Sequence, residues 1–254
     1  MTLPLFLADG PLAGVGESLT LSGDEGRHAA TVQRIAVGEE VLLADGAGAG
    51  VRGRVTGTTK STLELEVLEE LTEPTGRPRL ELVQALAKAG RAEQSLETSV
   101  EIGVDAVVPW QADRSISRWA GPKAEKGRVK WQQVVRAATK QSRRLWEAPV
   151  EPMVDTAGLV ERVRVGGGAS ELTLVLHEVA TDGLLPTLGG LLEGRETPSL
   201  VRVVIGPEGG ISPQELEALT DAGGVPVVLG PHVLRTSSAG PVALALLCGA
   251  LRWD

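Results

Sequence analysis

Three short segments combine residue types that can hold a small ligand. They are Leu176-His177-Glu178, Ile205-Gly206-Pro207-Glu208-Gly209-Gly210-Ile211 and Leu229-Gly230-Pro231-His232-Val233-Leu234-Arg235-Thr236. Glycines at 206, 209 and 210 let a ligand approach main-chain groups without interference from a Cβ. That suits a nucleoside read through backbone hydrogen bonds. A tight turn between a strand and a helix explains the same glycines, and both readings stand here. The Gly206 loop is neither a G-x-x-x-x-G-K-S/T phosphate loop nor a G-x-G-x-x-G dinucleotide fingerprint. It runs into a marked helix start, with Ser212 as N-cap, Pro213 at N1 and Glu215 at N3, the pattern of a capping box.

A second chemistry is written in residues 114–144. The stretch holds ten Lys and Arg, among them Lys130, Lys140, Arg143 and Arg144, against Glu125 alone, a local charge of +9 in a chain of net charge −8. A local positive footprint is what phosphate contacts require, so a polyanion partner is expected. A solvated helix face rich in Lys and Arg is the alternative. Trp119, Trp131 and Trp146 lie in or beside the stretch, where they serve either as stacking platforms for bases or as core anchors.

The elements that position these residues fall into two sets. Residues 1–72 read as short strands at 18–21, 40–44, 51–56 and 61–68 with one helix over 24–35 capped by Asp24, a pattern that predicts a small β-barrel. Residues 72–78, Thr-Glu-Pro-Thr-Gly-Arg-Pro, read as a linker, and 73–254 form the second domain. There, apolar strands at 80–85, 106–109, 172–176, 201–205 and 225–229 alternate with helices at 91–102, 126–142, 212–222 and 238–251. Continuous apolar strands alternating with helices predict a parallel α/β sheet. Ligands of such sheets bind beyond the carboxyl ends of the strands, where the three segments sit. The run P-V-A-L-A-L-L-C-G-A-L from Pro241 is apolar nearly all round and is expected to be buried by its own domain or by a second copy, a homodimer seam.

Composition excludes several classes. Apolar residues make up 42% and charged residues 23%, so the chain is globular. One Cys excludes a disulfide framework and a cysteine zinc cluster, and His28, His177 and His232 have no metal-ligand spacing. The longest apolar run is half a membrane span, and Met1-Thr2-Leu3-Pro4 carries no basic residue, so neither a membrane segment nor a secretory signal is expected. A cytoplasmic location follows as the expectation.

Taken together, I-G-P-E-G-G-I-S-P-Q-E-L (205–216) and L-G-P-H-V-L-R-T-S-S-A (229–239) resemble the SPOUT methyltransferases, and within them the bacterial family that methylates N3 of a uridine in small-subunit (16S) ribosomal RNA. V-E-I-G-V-D-A-V-V-P (100–109), Gln141-Ser142-x-Arg144 and H-A-A-T-V-Q-R-I-A-V-G (28–38) are similar to further segments of that family. The resemblance implies a PUA-like barrel for RNA followed by an α/β domain with a trefoil knot, S-adenosylmethionine as cofactor, and a homodimer. Knots are rare exceptions to chain topology, and spacing alone suggests none. By position the cofactor cradle comprises Leu176, His177, Ile205, Gly206, Pro207, Glu208, Gly209, Leu229, Gly230, Leu234, Arg235 and Thr236. Three positions depart from the family pattern: Ser237 replaces an acid, Leu5 or Pro4 an early arginine, and Thr98 a lysine.

A sulfonium methyl is already activated, so such an enzyme mainly aligns the acceptor and excludes water. Arg235 is the candidate for positioning the target base, and Arg34 and Arg144 are the next choices, with Arg34, Lys130, Lys140, Arg143 and Arg144 as RNA contacts. No residue is marked as a general base, since a histidine at a strand end is more often structural. A SPOUT enzyme acting on a ribose 2′-hydroxyl or on transfer RNA, and a catalytically silent RNA-binding assembly factor, stay open at this level.

Overall fold

A computed structural model of the chain describes residues 3–74, 78–88, 90–166 and 170–253. The fold is mixed α/β and divides into two units, Met1–Thr75 with Arg136–Glu147, and Gly76–Val135 with Ala148–Asp254.

The first unit is built on β1 (Leu5–Leu7), β2 (Ser18–Leu21), β3 (Glu40–Ala44), β4 (Ala49–Thr58) and β5 (Leu63–Thr72), in the order β1-β3-β4-β5-β2. β1 joins β3 in parallel, and every other pair is antiparallel. Alternation is plain in β5, where Leu63, Leu65 and Val67 face a core shared with Phe6, Val41 and Leu43 while Glu64 and Glu66 face water. Register shifts at Arg52/Gly53 and Val55/Gly57 bend the long β4–β5 pair and curl the sheet. The single helix expected over 24–35 is instead α1 (Gly23–Arg27) running into one π-helical turn, His28–Val32. Ser22, not Asp24, stands at its N-cap, and Asp24 pairs with Arg27. Arg34, at φ 57, ends the helical path in the left-handed region.

The second unit is a parallel sheet of β6 (Arg79–Ala85), β7 (Ala106–Gln111), β8 (Val154–Asp155), β9 (Glu171–Leu176), β10 (Leu200–Ile205) and β11 (Val225–Val227), in the order β11-β9-β10-β6-β7-β8. Its helices are α2 (Arg91–Ile102), α3 (Pro122–Ser142), α4 (Thr156–Gly166), α5 (Leu184–Leu192), α6 (Pro213–Asp221) and α7 (Thr236–Leu251), with α3 from Arg136 onward counted in the first unit. Trp110, Val83, Val108, Val175 and Val204 form one core cluster with α4 residues Leu159 and Val163. Helix α7 packs on α2 and β10. A Cβ on Gly240 would stand 3.0 Å from Leu82 and 3.1 Å from Ser95, so this glycine permits the close approach. Ala243, Leu244, Leu247 and Cys248 are buried within the unit, whereas Val242, Gly249 and Ala250 face outward. Among the described residues no helix is long and apolar enough to cross a membrane, and no group of three His, Cys, Asp or Glu side chains could hold a metal ion.

Candidate functional site

Sheet register brings the strand ends into one row. Leu176 stands opposite both Ile205 and Val227, and Ile205 opposite Gln84. The chain therefore leaves β9 at His177, β10 at Gly206 and β11 at Val228 side by side, at the carboxyl end of the sheet. Ligands of open α/β sheets bind at this edge.

Side chains then tie the loops together. The Thr236 hydroxyl donates to the Gly206 carbonyl oxygen across 2.8 Å and accepts from Gln84 Nε2 at 3.0 Å. One buried threonine thus links the end of β6, the end of β10 and the start of α7. Glu208 Oε1 accepts from the Lys88 N–H at 3.0 Å and from Arg91 at 3.2 Å, which ties the loop after β6 to the loop after β10. His177 is a tether. Its Nδ1 accepts from the Val179 N–H, its Nε2 lies 3.4 Å from the Ile211 carbonyl oxygen, and its own N–H continues the ladder to Val227. With both ring nitrogens engaged in the chain, it holds the first loop against the second.

The expected capping box is present. Ser212 accepts from the Glu215 N–H, and Glu215 Oε2 accepts from the Ser212 N–H. The other Glu215 oxygen takes the Asp113 N–H at 2.8 Å and the Thr156 hydroxyl at 2.7 Å, pinning α6 to the loops after β7 and β8.

The loop's own packing accounts for its three glycines. A Cβ on Gly206 would lie 2.8 Å from Ile211 Cγ1, and one on Gly209 3.1 Å from Arg114 Cβ. Gly210 sits at φ 73 and closes a turn by donating to the Pro207 carbonyl oxygen. The case for a binding site thus rests on the convergence of the loops and on two buried acceptors. Among the described residues, Glu208 Oε2 and Gln84 Oε1 are buried with no hydrogen-bond partner. Such acceptors are uncommon, and they suit a ligand that brings N–H or O–H donors.

The third loop is open. Leu229 is half-buried, Gly230, Leu234 and Arg235 are exposed, and Thr236 is buried. His232 is exposed as well. Sequence reasoning missed Gln84, Lys88, Arg91 and Arg114 as supports of the site. The one local signal was Gln84, a lone amide ending an apolar strand.

The five expected RNA-contact cations are placed unevenly. In the second unit Lys130 bridges to Glu93. In the first unit Lys140 bridges to Glu25, Arg144 to Glu73, and Arg143 donates through Nε to the Leu3 carbonyl oxygen. Arg34 is exposed. Trp131 is buried and meets Trp119 edge to face at 5.0 Å, so it is a core anchor. A Cβ on Gly127 would strike the Trp119 ring, which therefore lies flat over helix α3.

Comparison with known proteins gives the family. An RNA methyltransferase domain profile matches residues 75–248, and an RNA methyltransferase PUA domain profile matches residues 21–68. Ribosomal RNA small subunit methyltransferase E of Mycobacterium bovis is 44% identical over 256 residues, covering 100% of this chain and 95% of the relative. The protein of that name from Bacillus subtilis is 26% identical over 231 residues, covering 91% and 89%. A crystal structure of ribosomal RNA small subunit methyltransferase E from Neisseria gonorrhoeae, bound to S-adenosyl methionine, superposes with a TM-score of 0.84 at 27% identity and covers 98% of each chain. The converging loops belong to a domain of known kind, and the chain is a member of the RNA methyltransferase family.

Proposed function

We propose that the protein transfers the methyl group of S-adenosylmethionine to N3 of a uridine in 16S ribosomal RNA. The observation that carries this reading is the link Gln84–Thr236–Gly206, which gathers three strand-end loops beside two buried acceptors that have no partner among the described residues. The names of the relatives point the same way, as does the bound cofactor of the Neisseria protein.

The cofactor, when bound, supplies a methyl activated by a sulfonium. Leu176, His177, Ile205, Gly206, Pro207, Glu208, Gly209, Leu229, Gly230, Leu234, Arg235 and Thr236 would hold it, mostly through backbone groups. Its hydroxyl and ammonium donors match the free oxygens of Glu208 and Gln84. Arg235 is exposed next to Thr236, so its guanidinium is available to position the target and to stabilise a uracil losing its N3 proton. The apolar Leu229 and Leu234 limit water at the loop. Arg34, Lys130, Lys140, Arg143 and Arg144 form the RNA footprint in this reading. In this reading residues 1–72 are a PUA-like barrel, residues 73–254 are a knotted SPOUT domain whose segment Arg136–Glu147 is counted with the first unit, and the enzyme works as a cytoplasmic homodimer through the outer face of α7.

The test is mass spectrometry of ribosomal RNA nucleosides from a strain lacking the gene. Loss of 3-methyluridine, restored by the parent gene and not by an Arg235→Ala variant, is the expected result. Loss of a 2′-O-methyl nucleoside, or no change, overturns it.

A further inference from the structure

The first unit carries a cleft that the methyl-transfer site does not use. It measures about 350 Å³ and is lined by Pro4, Leu5, Gln33, Lys140, Gln141 and Arg143. Clefts of this size accommodate small ligands. Its lining combines a small apolar patch, two side-chain amides and two cations.

Backbone strain converges on the same place. Among the described residues, the non-glycine residues with positive φ are Arg34 (φ 57) and Arg143 (φ 60). Arg143 lines the cleft, and Arg34 directly follows Gln33, which lines it as well. A left-handed conformation is unfavourable for any residue with a Cβ, and glycine adopts it freely. Side chains kept at such positions commonly serve a site.

The polar groups of the cleft differ in how they are engaged. Lys140 is held by Glu25 at 2.9 Å. Arg143 gives Nε to the Leu3 carbonyl oxygen at 2.8 Å, and among the described residues its two terminal nitrogens have no partner. The Gln33 amide nitrogen contacts His28, and among the described residues its oxygen has no partner. Gln141 is exposed, and its amide has no partner among the described residues.

From this arrangement we infer that the cleft captures one unpaired nucleotide of the RNA substrate, apart from the base that is methylated. The base lies against Pro4 and Leu5, the amides of Gln33 and Gln141 read its edge, and Arg143 with Arg34 takes the adjoining phosphate. A base that enters a cleft must leave its stack, which an unpaired nucleotide does far more readily than one in a duplex, so the ligand is single-stranded. This inference rests on the RNA-directed reading above.

Binding of a fluorescein-labelled single-stranded oligoribonucleotide to the full chain tests it, with variants Gln141→Ala, Arg143→Gly and Arg34→Gly. Each variant is expected to weaken binding about tenfold at fixed salt, and each arginine variant to reduce the salt slope by about one. The two glycine variants keep or raise the Tm, because they relieve the left-handed strain. S-adenosylmethionine affinity by calorimetry stays at the parent value. The same oligonucleotide annealed to its complement competes poorly. Parent-like RNA affinity in Gln141→Ala and Arg143→Gly, or equal competition by the duplex, overturns the cleft while leaving methyl transfer untouched. A parent chain that binds no RNA at all overturns both.

Discussion

Arg202 and Glu81 are register partners on adjacent parallel strands, β10 and β6, and their side chains pair inside the sheet. Both are almost fully buried. Arg202 also reaches Thr173 and Glu171 on β9, and Arg162 makes a second bridge to Glu81. The group lies at the strand ends remote from the candidate site, since Glu81 and Arg202 precede Gln84 and Ile205 by three residues on each strand. Its role is to hold the sheet that positions the loops.

Burial opposes ionisation of Glu81, but the guanidinium groups of Arg162 and Arg202 outweigh it and hold the carboxyl below its ordinary value of 4.5. A depressed carboxyl contributes stability that is fully present above the unfolded value. That contribution drains away as the pH falls through the folded value. Glu81→Gln is therefore expected to cost about 3 kcal/mol at pH 7, because Arg202 loses its buried partner. The parent should also lose stability more steeply than the variant as the pH falls below the ordinary carboxyl value of 4.5. Urea denaturation of both proteins at several pH values measures this, and parallel pH profiles would refute it.

Thr236→Val removes the hydroxyl that joins Gly206 to Gln84. The Gly206 carbonyl oxygen loses this donor, and Gln84 Nε2 retains only a longer contact to the Ala85 carbonyl oxygen at 3.3 Å. A stability loss of about 1–3 kcal/mol is expected for the buried groups left without partners. S-adenosylmethionine affinity by calorimetry should fall at least tenfold. Thr236→Ser keeps the oxygen and should restore most of both. A valine variant with parent-like affinity would show that the link does not shape the site.

Much of the second unit was legible because its strands are mostly apolar, with single polar interruptions such as Glu81 and Arg202, and its helices are punctuated. Gly103 ends α2 and Ser212 with Glu215 starts α6, and both signals are local. Most of what escaped was short or interrupted. β1 and β8 are three and two residues long, and α5 contains Pro186, Gly189 and Gly190. Helix α4 (Thr156–Gly166) escaped as well, although its eleven residues are not interrupted. Electrostatics escaped for another reason. Several acids that neutralise the basic stretch lie far off in sequence: Glu93 is 37 residues from Lys130, Glu25 is 115 from Lys140, and Glu73 is 71 from Arg144. A window count sees the cations and misses their partners. The same limit hid the support of Glu208 by Lys88 and Arg91, more than a hundred residues away.

Gly206→Ala tests whether the Gly206 loop is set by its own packing. The added Cβ would meet Ile211 Cγ1 at 2.8 Å, and Ile211 is buried. Overpacking of this kind costs about 1–3 kcal/mol and shifts the neighbour. Methyl-donor affinity should drop more than tenfold as the loop moves. Adding Ile211→Ala removes the clashing atom and should return part of the lost affinity, a coupling that a double-mutant cycle measures. Additive losses would mean that the new methyl obstructs the ligand directly.

Reversal of charge separates cations that serve the fold from cations left for a polyanion. Lys140→Glu would set a carboxylate against Glu25, whose second oxygen is buried and has no hydrogen-bond partner among the described residues. A lower Tm is expected together with weaker RNA binding, as the reversal places two carboxylates together and leaves Glu25 only its longer bridge to Arg136 at 3.6 Å. Lys123 and Lys126, on the exposed first turns of α3, have no ion-pair partner among the described residues. Lys123→Glu and Lys126→Glu should therefore leave the Tm close to that of the parent. If this end of the helix meets phosphate, each also flattens the salt dependence of RNA binding by about one unit of slope. Thermal scans and salt titrations of the three variants decide the matter. A parent-like Tm for Lys140→Glu, or a parent-like salt slope for both exposed-lysine variants, would show that the basic stretch is partitioned differently.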